Sequence, residues 1–266
     1  MEPAEGNGQR CLTAAGVSLT VAPMFPIRDH NPSGRVPFVT YALIAANVAV
    51  FLYMLPLYAD AQQIRSFYYD WALIPAKGEW TGYFTSQFLH GGLMHLAGNM
   101  LFLWVFGDNM EDEMGHLPFL GFYLASGFAA GLAQVMANPA STMPMVGASG
   151  AIAGVMGGYL LLFPKARVDV LIVIFFFIRI LPIPAWVVLG FWFALQLWSG
   201  AAMPTDGGGV AYWAHAGGFV AGLLLTLPLW LRRGAGAYWS RTHGHPPHPE
   251  AQYRFRRTSI PRVRRR

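Results

Sequence analysis

Two side chains stand out for the chemistry they could share, Ser149 and His215. Ser149 lies in Gly147-Ala148-Ser149-Gly150, between a stretch broken by Pro139 and Pro144 and a long apolar run. That setting places its hydroxyl at a helix N-terminus. Free backbone N–H groups and the positive end of the macrodipole favour a developing anion there, and the glycines leave room for a substrate backbone. Taken alone, Gly-x-Ser-Gly fits a simple helix N-cap equally well. His215 sits in Ala214-His215-Ala216-Gly217-Gly218, with no other acidic or basic side chain between Tyr212 and Leu231. An imidazole in so apolar a run needs a reason. It is the side chain best suited to take a serine proton near neutral pH, with a structural hydrogen bond to a carbonyl as the competing use.

A further polar group precedes them in His90-Gly-Gly-Leu-Met-His95-Leu-Ala-Gly-Asn99. His95 and Asn99 are four apart, so a helix presents both on one face, and both can donate hydrogen bonds to an oxyanion. The backbone N–H of Ser149 would add a third donor. His90 is expected to brace the loop by hydrogen bonding. A zinc site is not expected: His90 and His95 lie five apart, His-Glu-x-x-His is absent, and this run holds no Asp or Glu. No metal or cofactor is called for.

These groups must be brought together by closely packed helices. Gly150, Gly154 and Gly158 recur at four-residue spacing after Ser149, while Gly218 and Gly222 follow His215 by three and seven residues. Such stripes allow the close helix approach that a serine–histidine hydrogen bond of about 2.6–3.2 Å demands.

The chain has 266 residues, 55% apolar and 12% charged, against roughly a quarter charged in soluble domains. Its charges leave five gaps of 24, 28, 51, 26 and 25 residues. A bilayer core of about 30 Å takes roughly 20 helical residues, so each gap holds one span and the longest holds two. The expectation is an all-α membrane protein with six transmembrane helices: 39–58, 92–106, 117–137, 149–163, 184–199 and 212–231. An acidic turn, Asp108 to Glu113, should separate the second from the third. Residues 168–180 are apolar but too short to cross and read as an interfacial or re-entrant piece. The connection 59–89 is long for a simple loop, and its aromatic residues suit the headgroup level.

Three regions follow: a flexible N-terminal arm (1–37), a six-span domain (38–231) and an Arg-rich C-terminal tail (232–266), whose His243, His245 and His248 form a surface run. Cys11 is the only cysteine, which excludes an internal disulfide framework. Ten Arg and one Glu give the tail +9 of the net +5, leaving −4 elsewhere. A basic segment after a span fixes topology or meets anionic headgroups, so lipid contact is expected and nucleic acid is not. Arg28 and Arg35, the Lys165–Arg179 stretch and the tail place both termini in the cytoplasm and the polar cluster toward the outward face. The four acids between the second and third spans lie on the basic side, which that rule does not predict.

His90-x-x-x-x-His95-x-x-x-Asn99, Gly147-Ala148-Ser149-Gly150 and Ala214-His215-x-x-Gly218-x-x-x-Gly222 together resemble the rhomboid intramembrane serine proteases, in the same order and on the same spans. The similarity covers about residues 36 to 232 and includes Gly107-Asp108-Asn109-x-Glu111-Asp112. The resemblance implies a six-helix rhomboid-like bundle with a long interfacial loop between spans 1 and 2. It also implies cleavage of single-span membrane proteins, in or near their transmembrane helix, by a Ser149–His215 dyad. His95, Asn99 and Ser149 would then stabilise the oxyanion, with His90, Gly147, Gly150, Gly154, Gly218 and Gly222 in support. Asp206 is not needed, and a bacterial inner membrane is the expected location. Two departures are visible: the 59–89 loop lacks the Trp-Arg pair of some members, and Ala153 stands where some carry an aromatic that stacks on the catalytic histidine. A non-catalytic helix-binding member of the same fold would have lost Ser149 or His215, and neither is lost. A transporter would show half-to-half repeats, which the sequence does not.

Overall fold

The structure is a computed structural model that describes residues 24–174, 177–203 and 209–251. The expectations placed on residues 1–23, on Asp206 and on the Arg-rich run 252–266 lie outside the described residues. Nine α-helices and three strands are described: β1 (Met24–Asp29), α1 (Phe38–Met54), α2 (Ala61–Trp71), α3 (Gly82–Thr85), α4 (Leu93–Met114) and α5 (His116–Ala137), followed by α6 (Ser149–Leu162), β2 (Arg167–Ile174), β3 (Phe177–Pro184), α7 (Ala185–Ala202), α8 (Tyr212–Arg232) and α9 (Gly236–Thr242).

Four segments are long and apolar enough to cross a membrane: Phe38–Ala59, His116–Ala137, Ala185–Ala202 and Tyr212–Arg232. The pair Gly82–Phe88 and Leu93–Met114, bent by 95°, makes a fifth. The remaining member of the expected six, α6, has 14 residues, about 21 Å at 1.5 Å per residue, and by length alone does not span. It is the central element: of its residues after Ser149, all but Leu160 are buried.

Helices α6 and α8 meet backbone to backbone. A Cβ on Gly218 would run into the carbonyl of Gly150, and one on Gly222 into the carbonyl of Gly154. Only glycine allows this approach, and it aligns the start of α6 with the start of α8. Behind them α5 offers Ala130 and Ser126, against which Gly150 and Gly154 lie.

One end of the bundle carries the acidic run of α4. The acidic residues expected in a turn instead complete α4, because partners from other elements satisfy them. Glu111 is buried and accepts from Val39 N–H (2.8 Å), Thr40 N–H (2.7 Å) and the Thr40 hydroxyl (2.7 Å). It thereby caps α1, whose own N-cap position is Pro37 and supplies no side-chain bond. Asp108 accepts from Ser33, Asp112 from Gly34 N–H, and Glu113 pairs with Arg233. The acids on the basic side are thus internal partners of the first and last segments.

The same end carries an antiparallel sheet in the order β1-β2-β3, so the fold is predominantly helical but not all-α. Of the residues expected to be interfacial or re-entrant, 168–174 and 177–180 lie instead on two antiparallel strands, β2 and β3, with Val170 opposite Leu181. The run is rich in Val and Ile, which favour strands, and Pro182 and Pro184 are tolerated because β3 is an edge strand. Part of the expected flexible arm is also ordered, since β1 pairs with β2. Asp169 is buried and receives Arg28 (2.6 Å) and His30 (2.8 Å), while Tyr159 of α6 donates to Asp29 (2.7 Å). The chain after α8 returns to this sheet: Trp239 donates to the Leu161 carbonyl, Ala251 N–H to the His30 carbonyl, and His245 pairs with Glu250. The expected surface run of histidines is therefore tied down at His245.

Candidate active site

At the opposite end, α6 begins at Ser149. The preceding strand-like link is held by the Leu73–Met145 bridge and by Gly147 N–H donating to the Ser86 carbonyl. Gly147 has φ +130°, a conformation that L side chains rarely adopt, and a Cβ there would lie 2.9 Å from the His95 ring. Chain direction and clearance both require glycine.

His215, one turn into α8, faces Ser149 across the Gly150/Gly218 contact, and its Nε2 lies 2.8 Å from Ser149 Oγ. Nδ1 of the same ring lies 2.9 Å from Oε1 of Gln196 on α7. Trp192, one turn earlier on α7, packs on the imidazole with centroids 5.7 Å apart and planes at 32°. Ala153 of α6 contributes no ring, so the aromatic neighbour comes from α7.

His95 opens the first turns of α4, and its Nδ1 accepts from Gly91 N–H (3.3 Å). A neutral ring that accepts at Nδ1 carries its proton on Nε2, the nitrogen beside Gly147. Asn99 is buried and donates one amide hydrogen to the His95 carbonyl (2.9 Å), leaving its second hydrogen free. At the first position of α6, Ser149 N–H has no acceptor within the helix. His95, Asn99, Ser149 and His215 all line one cavity of about 790 Å³, together with Gln134 and Met145. Gln134 of α5 accepts from Ala214 N–H (3.2 Å) and so holds the start of α8.

His90 is buried beside this cavity, its ring edge-on to His95 with centroids 5.1 Å apart. The loop is braced at this residue chiefly through its carbonyl, which accepts from Tyr58 (2.5 Å) and Tyr68 (3.3 Å). The structure therefore brings His95, Asn99, Ser149 and His215 to one cavity with His90 beside it, and Gly147, Gly150 and Gly218 lie between them. Sequence reasoning missed Gln196, Trp192 and Gln134. Gln196 had a signal: it is the only amide in the 18 apolar-rich residues of α7, and polar side chains inside spans usually bond across helices.

A half-buried serine–imidazole pair at a helix start, on glycine-packed apolar helices, describes an integral membrane protein with a polar site at one end of its bundle. The chain belongs to the rhomboid family, whose domain matches residues 77–232. It is 33% identical over 239 residues to Rhomboid protein 1, mitochondrial, of Saccharomyces cerevisiae, covering 82% of this chain and 63% of that protein. It is 35% identical over 127 residues to Rhomboid protease GluP of Bacillus subtilis, covering 47% of this chain and 24% of that one. With the putative rhomboid protease YdcA of Bacillus subtilis it shares 32% over 124 residues, covering 47% and 61%. The chain thus spans less than two thirds of the length of each of these relatives. A bacterial inner membrane does not follow from them, because the first is mitochondrial.

Proposed function

We propose that this chain is an intramembrane serine endopeptidase that cuts peptide bonds in or near the transmembrane helix of single-span membrane proteins. The observation that carries the reading is the 2.8 Å approach of His215 Nε2 to Ser149 Oγ, at a helix start flanked by free donors. In this scheme His215 takes the Ser149 proton as Oγ attacks the substrate carbonyl. The oxyanion is met by Nε2–H of His95, the free amide hydrogen of Asn99 and the N–H of Ser149. Imidazolium then protonates the leaving amine, and water releases the acyl group through the same base. A substrate helix must unwind locally to expose its carbonyl, so helix-weakening residues near the cut are favoured.

The same reading has six helices crossing, α6 included because its neighbours complete the path. Arg28, Lys165, Arg167 and Arg233 share the end that carries the sheet, which supports a cytoplasmic placement of both termini with lipid headgroups around it. The cavity with Ser149 then opens to the other face, where water can reach it, beside the 59–89 loop.

The test is purified protein in liposomes with a labelled single-span substrate. Cleavage is expected from the parent and not from Ser149→Ala or His215→Ala. Cleavage retained by Ser149→Ala would reject the mechanism.

A further inference from the structure

Nothing in a serine–histidine pair alone says which ring nitrogen carries the proton, yet the base works only if Nε2 is bare. The surroundings of Gln196 decide it. Its Nε2 lies 3.3 Å from the Trp192 carbonyl oxygen, which can only accept. The amide nitrogen must therefore face that carbonyl, and Oε1 must face His215, at 2.9 Å. Since Oε1 can only accept, Nδ1 of His215 must donate. The lone pair is left on Nε2, 2.8 Å from Ser149 Oγ, whose hydroxyl then donates to it.

We infer that Gln196 is a positioning residue for the proposed protease chemistry, locking His215 in its Nδ1–H tautomer and holding the ring in line with Ser149. This rests on the protease reading for its kinetic consequence, but not for the tautomer. Trp192 and Gln196 are one helical turn apart, so a single face of α7 supplies both the ring that packs on the imidazole and the acceptor that fixes its proton. Ala153 leaves α6 without that ring. Gln196 is buried, which shields the bond from competing water. As His215 becomes imidazolium, the same bond becomes charge-assisted and strengthens, so its benefit falls on the transition state rather than on substrate binding.

The experiment compares Gln196→Leu, Gln196→Met and Gln196→Glu with the parent. Leu and Met remove the amide acceptor, and Met nearly preserves the side chain's length. Glu keeps a carboxylate oxygen facing Nδ1. Cleavage of the single-span substrate is expected to fall about ten- to a hundredfold in kcat for Leu and Met, as loss of a hydrogen bond to a charged group implies. KM should stay within about twofold, and Glu should keep kcat within about threefold. In parallel, ¹⁵N spectra of histidine-labelled protein, recorded in a Ser149→Ala background, should show His215 as Nδ1–H with Gln196 present and as a tautomer mixture with Leu or Met. An unchanged tautomer in whichever of these two variants folds, or a kcat within threefold of the parent, overturns the inference. If the parent cleaves nothing, the protease reading fails while the spectra still decide the role of Gln196.

Discussion

Gly218→Ala tests whether the packing of α6 on α8 sets the chemistry. The added methyl would land on the Gly150 carbonyl oxygen, 3.0 Å from the Gly150 carbonyl carbon and 3.2 Å from the Ala130 Cβ. The nearest obstacle is backbone, which cannot rotate aside, so the helices must part by about 1 Å to restore van der Waals distance. Ser149 belongs to the residue before Gly150, and His215 lies one turn before Gly218. Parting there stretches the 2.8 Å serine–imidazole contact to about 3.8 Å, beyond hydrogen-bond reach. A displacement of that size costs about a hundredfold in rate, or roughly 2.7 kcal/mol. Overpacking would add about 1–3 kcal/mol of destabilisation. The assay is the rate of fluorophosphonate labelling at Ser149 alongside cleavage of a single-span substrate, at a temperature where thermal melts show both proteins folded. Gly121→Ala is the control, since a methyl there meets nothing within 4 Å, and it should match the parent in activity. If Gly218→Ala labels and cleaves within threefold of the parent, the glycine contact does not govern the distance between the two groups, and the reasoning is wrong.

Three other outcomes are expected. Gly147→Ala must adopt a strained φ near +130° and pushes on the His95 ring 2.9 Å away; kcat should drop more than about tenfold while KM changes little, read from full saturation curves. Glu111→Ala leaves the Val39 and Thr40 N–H groups without their acceptor, so thermal unfolding should show a loss of roughly 2–3 kcal/mol, with Glu111→Gln losing less. For Asp169, burial works to raise the carboxyl pKa, but hydrogen bonds and charge from His30 and Arg28 prevail and hold it below the usual range. A lowered native pKa means the stabilisation is present above the unfolded carboxyl value near pH 4 and drains away as pH falls through the native one. Hydrogen exchange in residues 24–29 should therefore accelerate below about pH 4 in the parent. Asp169→Asn should exchange faster already at pH 7, by about 1–3 kcal/mol of lost protection, and without that acid-dependent step; equal exchange at pH 7 would show the sheet is held elsewhere.

The site residues were legible because polar groups are scarce in an apolar chain: Ser149, His215, His95 and Asn99 had few rivals, and the glycine spacing said which helices must touch. The helices at 117–137 and 212–231 match α5 and α8 to within a residue, since proline, glycine and charge mark their ends. Other parts depended on partners that no local pattern announces. The run after Arg167 is apolar, short and β-branched, which suits a strand and a buried helix alike until β1 arrives from more than 130 residues away. Asp108 to Glu113 looked like a turn because acids rarely end a span, and only their bonds to Ser33, Gly34, Thr40 and Arg233 explain a helix there. Gln196 stood out as the single amide of α7, but its partner did not. Helix α7 is otherwise almost wholly apolar, so its sequence does not reveal that this face meets His215.

If the chain is the protease proposed above, the length of α6 has a consequence for where a substrate would be cut. Its 14 residues climb about 21 Å, so a helix rooted at the inner boundary of a 30 Å core stops about 9 Å short of the outer one. Helix length then acts as a ruler. In the proposed protease it would set the depth of Ser149, and so which residue of an incoming helix comes level with it, before any side-chain pocket has a say. Lengthening α6 by one turn would raise Ser149 by about 5.4 Å and move the cut three or four residues along a helical substrate.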